Sequence, residues 1–212
     1  MVNENSLYKR EFQLSLFTIV YNIFEGFISI YMGYEDQTLT LFGFGIDSFI
    51  EVMSGIGISV MIYRMKQHPE SSKNKFEINA LKITGTAFYI LSAGLLTGVI
   101  FNIITAHKPE TTFWGIVISI LSIIVMTLLM IAKKKVGIQL NSEPILSDSN
   151  CTKVCVYMSV ILLFASLIYE FTGFIYADAI GTLGLIYFSV HEGMEAFDDI
   201  KRKNCNCKEL NN

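Results

Sequence analysis

The 212-residue sequence predicts an all-α, polytopic membrane protein with six transmembrane helices, and three observations carry that expectation. The chain is 52% hydrophobic with only 17% charged residues, below the ~25% usual for soluble domains. Its charges are segregated into short connections. Six apolar windows, about 12–32, 39–63, 79–104, 113–132, 147–171 and 176–197, each approach the ~20 residues that a bilayer helix needs. They divide the chain into an N-terminal segment 1–11, a six-helix transmembrane domain 12–198 and a short tail 199–212, leaving no room for a sizeable soluble domain.

The first window follows a polar, acid-containing start and has no small-residue cleavage site, so it reads as a true span and not as a removable signal. Glu25 interrupts its apolar run, about level with Asp47 of the next span. It either joins the same polar pathway or snorkels to the headgroups. The second window, LFGFGIDSFIEVMSGIGISV, places Asp47 and Glu51 one helical turn apart, so both carboxylates face one way. Each costs about 2.5–3.5 kcal/mol near the bilayer centre, so the pair needs a cation or protons as partner. Gly43, Gly45, Gly55 and Gly57 around it suit close helix packing. In the following connection, His68 and Glu70 beside Pro69 are either a second metal site or, with no further ligand nearby, a solvated turn.

The third span carries Lys82 near its inner end, with Gly85, Ser92, Gly94 and Gly98 as packing residues. The fourth opens on Phe113 and Trp114 as an interfacial anchor and ends at Lys133 to Lys135. Ser142 and Pro144 then suit the start of the fifth helix. There Asp148, Cys151 and Cys155 recur at i, i+3 and i+7 and share one face. Taken singly, each cysteine is equally a small buried hydrophobe. Spans two and five run in opposite directions, and each offers two metal-capable groups separated by three residues, as an inverted three-plus-three repeat with a midplane site would give. Glu170 and Asp178 are expected at the outer interface. In span six, His191 and Glu195 form another i, i+4 pair beside Glu192, either a station for a passing cation or the wet end of a helix. The tail residues Cys205 and Cys207 are a possible metal-collecting tag.

Thirteen Lys and Arg residues fall on one side of the spans and Lys108 alone on the other, which predicts that both termini are cytoplasmic. The four cysteines then lie at or near the reducing side, where disulfides are not expected. A net charge of −3 argues against nucleic acid as a partner. No paired-histidine motif or nucleophile with its base points to an enzyme, so no catalytic residue is assigned.

Three stretches carry a resemblance to the cation diffusion facilitator (cation efflux) family of metal/proton antiporters, in particular to a branch of small cation transporters. FGFGIDSFIEVMS resembles that family's second-span pattern A-D-A-x-H-S-x-x-D-x-x-S, with Asp47 at the His, Ser48 retained and Glu51 at the Asp. PILSDSNCTKVC resembles its fifth-span A-L-x-A-D-A-x-H-x-x-x-D, with Asp148 at the first Asp, Cys151 at the His and Cys155 at the last Asp. YADAIGTLGLIYFSVHEGMEAF resembles the sixth span. The resemblance implies a cation-efflux-like bundle, a homodimer in the membrane lipid of a bacterial plasma membrane, and a metal site at Asp47, Glu51, Cys151 and Cys155. Glu25, Asp148, His191 and Glu195 would be accessory. The family's cytoplasmic metal-sensing domain has no counterpart after span six, and all four site positions depart in residue type from the usual His/Asp set.

Two carboxylates and two thiolates suit four-coordinate zinc, and the thiolates favour softer ions over magnesium or calcium. Cadmium, iron, cobalt and manganese remain candidates for the divalent ion that serves as substrate. Metal binding expels protons from such ligands, so exchange coupled to alternating access is proton/metal antiport. Two other classes fit the acids. A membrane metal-binding or sensing protein would bind without flux, and a proton-coupled exporter of organic cations would not need the thiols.

Overall fold

Six helices follow one another in antiparallel order: α1 (Glu4–Glu35), α2 (Leu39–Gln67), α3 (Lys73–Thr105), α4 (Phe113–Leu140), α5 (Glu143–Thr172) and α6 (Ala177–Glu209). The structure is a computed structural model and describes residues 4–67, 73–105, 108–140 and 142–209. No strand occurs among them. With an even number of antiparallel helices, both chain termini lie at one end of the bundle. That end is called terminal here, and the opposite end distal.

α1 to α5 each contain a segment long and apolar enough to cross a membrane, whereas α6 does not. The sixth window is therefore less apolar than the sequence suggests, because Asp178, His191, Glu192 and Glu195 fall inside that helix. Two of the four, Asp178 and Glu192, are buried, so the bundle itself shields them. The outer surface of the other helices is rich in exposed Phe, Leu and Ile, among them Phe24, Phe27, Phe101, Ile104, Leu128 and Phe164. A lipid-facing bundle needs such a surface, and the arrangement is that of a polytopic membrane protein.

Short-range rules set the ends of the elements. The turn between α1 and α2 closes on Gln37 at φ 55°, with Thr38 N–H donating to Gly33 O at 2.9 Å. α5 begins after Ser142 in extended backbone, with Pro in its first turn, and ends at left-handed Gly173 (φ 63°), whose N–H reaches Tyr169 O. The helices otherwise extend past the apolar windows. In particular α4 continues from Lys133 to Leu140, which carries that lysine inside the helix.

The pairing is that of two related halves. α1 packs on α2 as α4 packs on α5, α2 meets α3 as α5 meets α6, and the halves join through α1·α4, α2·α5 and α3·α6, with an α2·α6 contact that departs from the symmetry. This pattern is what an inverted repeat of three helices produces. Small residues permit the closest approaches: a Cβ on Gly45 would lie 2.7 Å from Ile30 N, and one on Gly43 would lie 2.7 Å from the Leu95 side chain. Gly94 is different, with nothing within 4 Å of where its Cβ would stand. A buried apolar cluster contributed by α2 to α6, including Leu41, Phe44, Leu95, Leu162 and Leu185, fills the distal half of the interior.

Candidate functional site

α2 and α5 meet at the level of the acids and thiols. The Cys155 thiol donates to Glu51 Oε2 at 3.0 Å, and both side chains are buried. One turn nearer the distal end Asp47 is 4% exposed, and one turn nearer the terminal end Cys151 is half-buried. Because the helices are antiparallel, the Cys155–Glu51 contact leaves Asp47 one turn to its distal side and Cys151 one turn to its terminal side, so the four groups face one cavity without converging on one point. Among the described residues only His191, Glu192 and Glu195 bring three ligand atoms within 4.8 Å of one another. Asp47 Oδ1 and Glu51 Oε1 are buried and accept no hydrogen bond from the described residues. The Asn22 amide of α1 lies beside Glu51 without closing a hydrogen bond to it.

These four residues line a cavity of about 300 Å³. Its remaining wall comes from the beginnings of α3 and α5 (Leu81, Thr84, Asn150) and the second half of α6 (Glu192, Glu195, Asp199). Those segments all lie toward the terminal end. The cavity therefore runs from the acid pair toward the chain termini, while the apolar cluster closes the distal side.

Beside it stands a group that the sequence disguises. Lys133, expected as an interfacial anchor, is 1% exposed and pairs with Asp148 Oδ2 at 2.9 Å, with Thr152 Oγ1 at 3.1 Å. The reason is the length of α4: only the last two of the three consecutive lysines, Lys134 and Lys135, are exposed. Asp148 does not line the cavity and is held by this ammonium. Glu11 of α1, fully buried, lies close enough for its charge to act on the same pair, and Glu51 acts on Lys133 from the cavity side.

Glu25 is buried and does not snorkel. Tyr21 donates to its Oε1 at 2.9 Å and Ser48, next to Asp47, to its Oε2 at 3.3 Å. It does not line the cavity and is tied to α2 through the Ser48 hydroxyl, next in sequence to Asp47. Ser159 extends the polar layer, donating to Ser122 Oγ at 2.9 Å.

On α6, His191 and Glu195 approach to 4.0 Å and are both more than half exposed. Glu192 between them is buried and lines the cavity, although the sequence offers it only as a neighbour of that pair. Its signal was the polar stripe Asp178, Thr182, Ser189 and Glu192, which keeps helical spacing on an otherwise apolar helix and is buried throughout. Asp178 and Glu170, expected at the interface, act as caps. Asp178 accepts from the N–H groups of Leu39 and Thr40 at 3.0 Å each, and Glu170 from Thr112 N–H at 3.1 Å, so each acid sits at another helix's positive end. His68 and Glu70 lie outside the described residues, as do the side chains of Cys205 and Cys207.

An uncharacterized transporter of Methanocaldococcus jannaschii is 27% identical over 169 residues, which cover 78% of this chain and 59% of that relative. The chain thus spans less than two thirds of its relative's length. The model of the cation efflux transmembrane domain matches residues 14–199, from the first full turns of α1 to the second half of α6, so the match encloses both the α2/α5 contact and the α6 wall of the cavity. The chain belongs to the cation efflux family.

Proposed function

We propose that this protein is a divalent metal cation transporter that exchanges metal for protons, with Asp47, Glu51, Cys151 and Cys155 as the ligand set and zinc as its first cargo. The observation that carries the reading is the Cys155–Glu51 contact inside a cavity where Asp47 and Glu51 also present carboxylate oxygens without partners. Buried polar atoms without partners are uncommon and ask for one. A cation is the partner that acids in an apolar setting accept.

Two carboxylates and two sulfurs match the donor number and type of tetrahedral zinc, and sulfur favours zinc, cadmium and other borderline or soft ions over magnesium. In the present state the thiol proton already bridges Cys155 and Glu51, so a metal entering there displaces it. Entry is from the terminal end. The basic residues cluster at that end, which the positive-inside rule assigns to the cytoplasm. The described conformation is then inward-facing, with both termini in the cytoplasm of a bacterial cell and the apolar cluster as the outer seal. An inward proton gradient drives the metal out when the site opens to the other face and is reloaded with protons. The close glycine contacts within the chain leave the Gly94 surface of α3 open, and a homodimer is part of the proposal.

Flux in proteoliposomes decides the matter, using a pH dye inside and a panel of zinc, cadmium, cobalt, iron and manganese outside. Metal uptake accompanied by proton release is the expected result. Stoichiometric binding with no flux would leave a metal-binding membrane protein. Flux of organic cations that survives loss of both thiols would overturn the metal reading.

A further inference from the structure

We propose that Glu192 of α6 is a cation ligand shared by two stations of one path: the α2/α5 site in the cavity and a mouth formed with His191 and Glu195. The inference rests on the reading of the cavity as a metal site and adds a third helix to it. Three observations meet in this residue.

Glu192 is 8% exposed, yet it has no hydrogen bond or ion pair among the described residues. Its carboxylate opens onto the cavity, where an unpartnered acid on a largely enclosed wall favours a cation beside it. It lines the same cavity as Asp47, Glu51, Cys151 and Cys155, and its charge is close enough to act on all four. One ligand atom each from His191, Glu192 and Glu195 also lie within 4.8 Å of one another, and Glu195 lines the same cavity. His191 and Glu195 are more than half exposed. The groups are graded in exposure: His191 and Glu195 are more than half exposed, Glu192 beside them on α6 is buried, and the acids and thiols of α2 and α5 line the rest of the same cavity. A cation held by the outer groups remains within reach of Glu192 as it sheds water, and Glu192 remains in the cavity when Asp47 and Glu51 take over. No part of that path then requires a bare ion.

The added carboxylate changes the donor set. With it the cavity offers three carboxylates and two sulfurs, more oxygen than sulfur, so Glu192 should matter more for ions that prefer oxygen, such as manganese, than for cadmium, which sulfur holds.

The test is equilibrium titration of the purified full chain in detergent with Mn²⁺ and with Cd²⁺, following the ultraviolet cadmium–thiolate absorption for the latter. Glu192→Gln should weaken Mn²⁺ binding by about tenfold or more, the scale seen when groups that support a metal site are removed, and weaken Cd²⁺ binding less. The cadmium–thiolate absorption should still reach its full amplitude at saturation. Glu192→Asp, which keeps the charge, should recover most of the Mn²⁺ affinity and serves as the reference if the amide variant is poorly folded. Glu192→Gln titrating as the unmodified protein does, or Glu192→Asp losing as much as Glu192→Gln, would overturn the inference. Asp47→Asn run in parallel separates the two readings: if it abolishes binding while Glu192→Gln does not, the α2/α5 site stands without Glu192. If neither variant affects binding, the metal site itself is misplaced.

Discussion

Removing the Lys133 ammonium tests the buried charge network more sharply than any other single change. Lys133 is 1% exposed and stands 2.9 Å from Asp148. At an effective dielectric near 20 that separation is worth an attraction on the order of 6 kcal/mol, most of it offset by the cost of burying both charges. Lys133→Met retains the length of the side chain but leaves Asp148 without its counter-ion. An unpaired acid at such depth costs about 2.5–3.5 kcal/mol. Thr152 softens nothing, since its hydroxyl already donates to the Asp148 backbone carbonyl at 3.1 Å. Asp148→Asn should cost less, because Glu51 and Glu11 still face the ammonium. The double variant removes both charges and should recover ~1–3 kcal/mol relative to the sum of the single variants. For a chain of this size, ~3 kcal/mol corresponds to a lowering of Tm by roughly 6–12 °C. Fluorescence of Trp114, the chain's one tryptophan, follows the melting in detergent. Strictly additive losses in the three variants would refute the argument that the pair acts as a unit.

Further expectations follow from the same contacts. Asp47→Asn should abolish zinc-dependent proton release in everted vesicles, measured with a pH dye, and Glu25→Gln should reduce it less, since Glu25 sits behind the cavity with Tyr21 and Ser48 as partners; equal loss in both would place Glu25 among the ligands. Cys155→Ser should remove much of the cadmium–thiolate absorption at saturation, and an unchanged spectrum would exclude this sulfur as a ligand. Gly45→Val should lower stability by about 1–3 kcal/mol, because its Cβ meets the Ile30 backbone nitrogen at 2.7 Å, an atom that cannot turn aside; an unchanged melting curve would show that α1 and α2 can part there at little cost. Asp178→Asn should cost about 1 kcal/mol by removing the charge at the start of α2, and a wild-type Tm would deny the cap any energetic role.

The positions of α1 to α5 were legible because lipid imposes a long apolar run on each of them, and a one-turn spacing fixes which residues share a face. The Asp47/Glu51 and Cys151/Cys155 faces followed from that alone, and the helix contact at Cys155–Glu51 joins them. What stayed hidden depended on information that no local pattern contains. Lys133 opens a run of three lysines, the usual mark of a span's end, and only the continued helix to Leu140 turns the first of them inward. Asp178 and Glu170 stand where apolar windows stop, and nothing in sequence reveals that each caps a helix other than its own. Gly94 resembles its neighbours in composition but faces open space, because smallness permits a contact without creating one. Glu192 was masked by the more familiar His191/Glu195 spacing, although the buried polar stripe on α6 marked the inward face.

The two ends of the bundle are built from different forces, which bears on how a cation would leave through the distal one. There the chain is laced by directional contacts: the Asp178 and Glu170 caps, Gln37 Nε2 donating to Glu110 Oε1 at 2.8 Å, and Glu110 N–H donating to Asp36 O at 3.0 Å. Below them lies the apolar cluster that separates Asp47 from that end. If water entered, the caps would lose little, since carboxylates and amides exchange protein partners for water at small net cost. The apolar cluster is the larger barrier: wetting even three of its side chains fully would cost roughly 5–9 kcal/mol. Opening by rearrangement of single side chains is therefore the expensive route. Movement of whole helix pairs is less costly, because α1·α2, α4·α5 and α3·α6 each retain their own extensive contact while the cluster, drawn from α2 to α6, divides along the boundaries between pairs. The acid pair and the thiols lie on α2 and α5, in different pairs, so the movement that opens the distal side also changes the separation of the Glu51 and Cys155 faces. Cation affinity and the direction of opening are coupled by that placement.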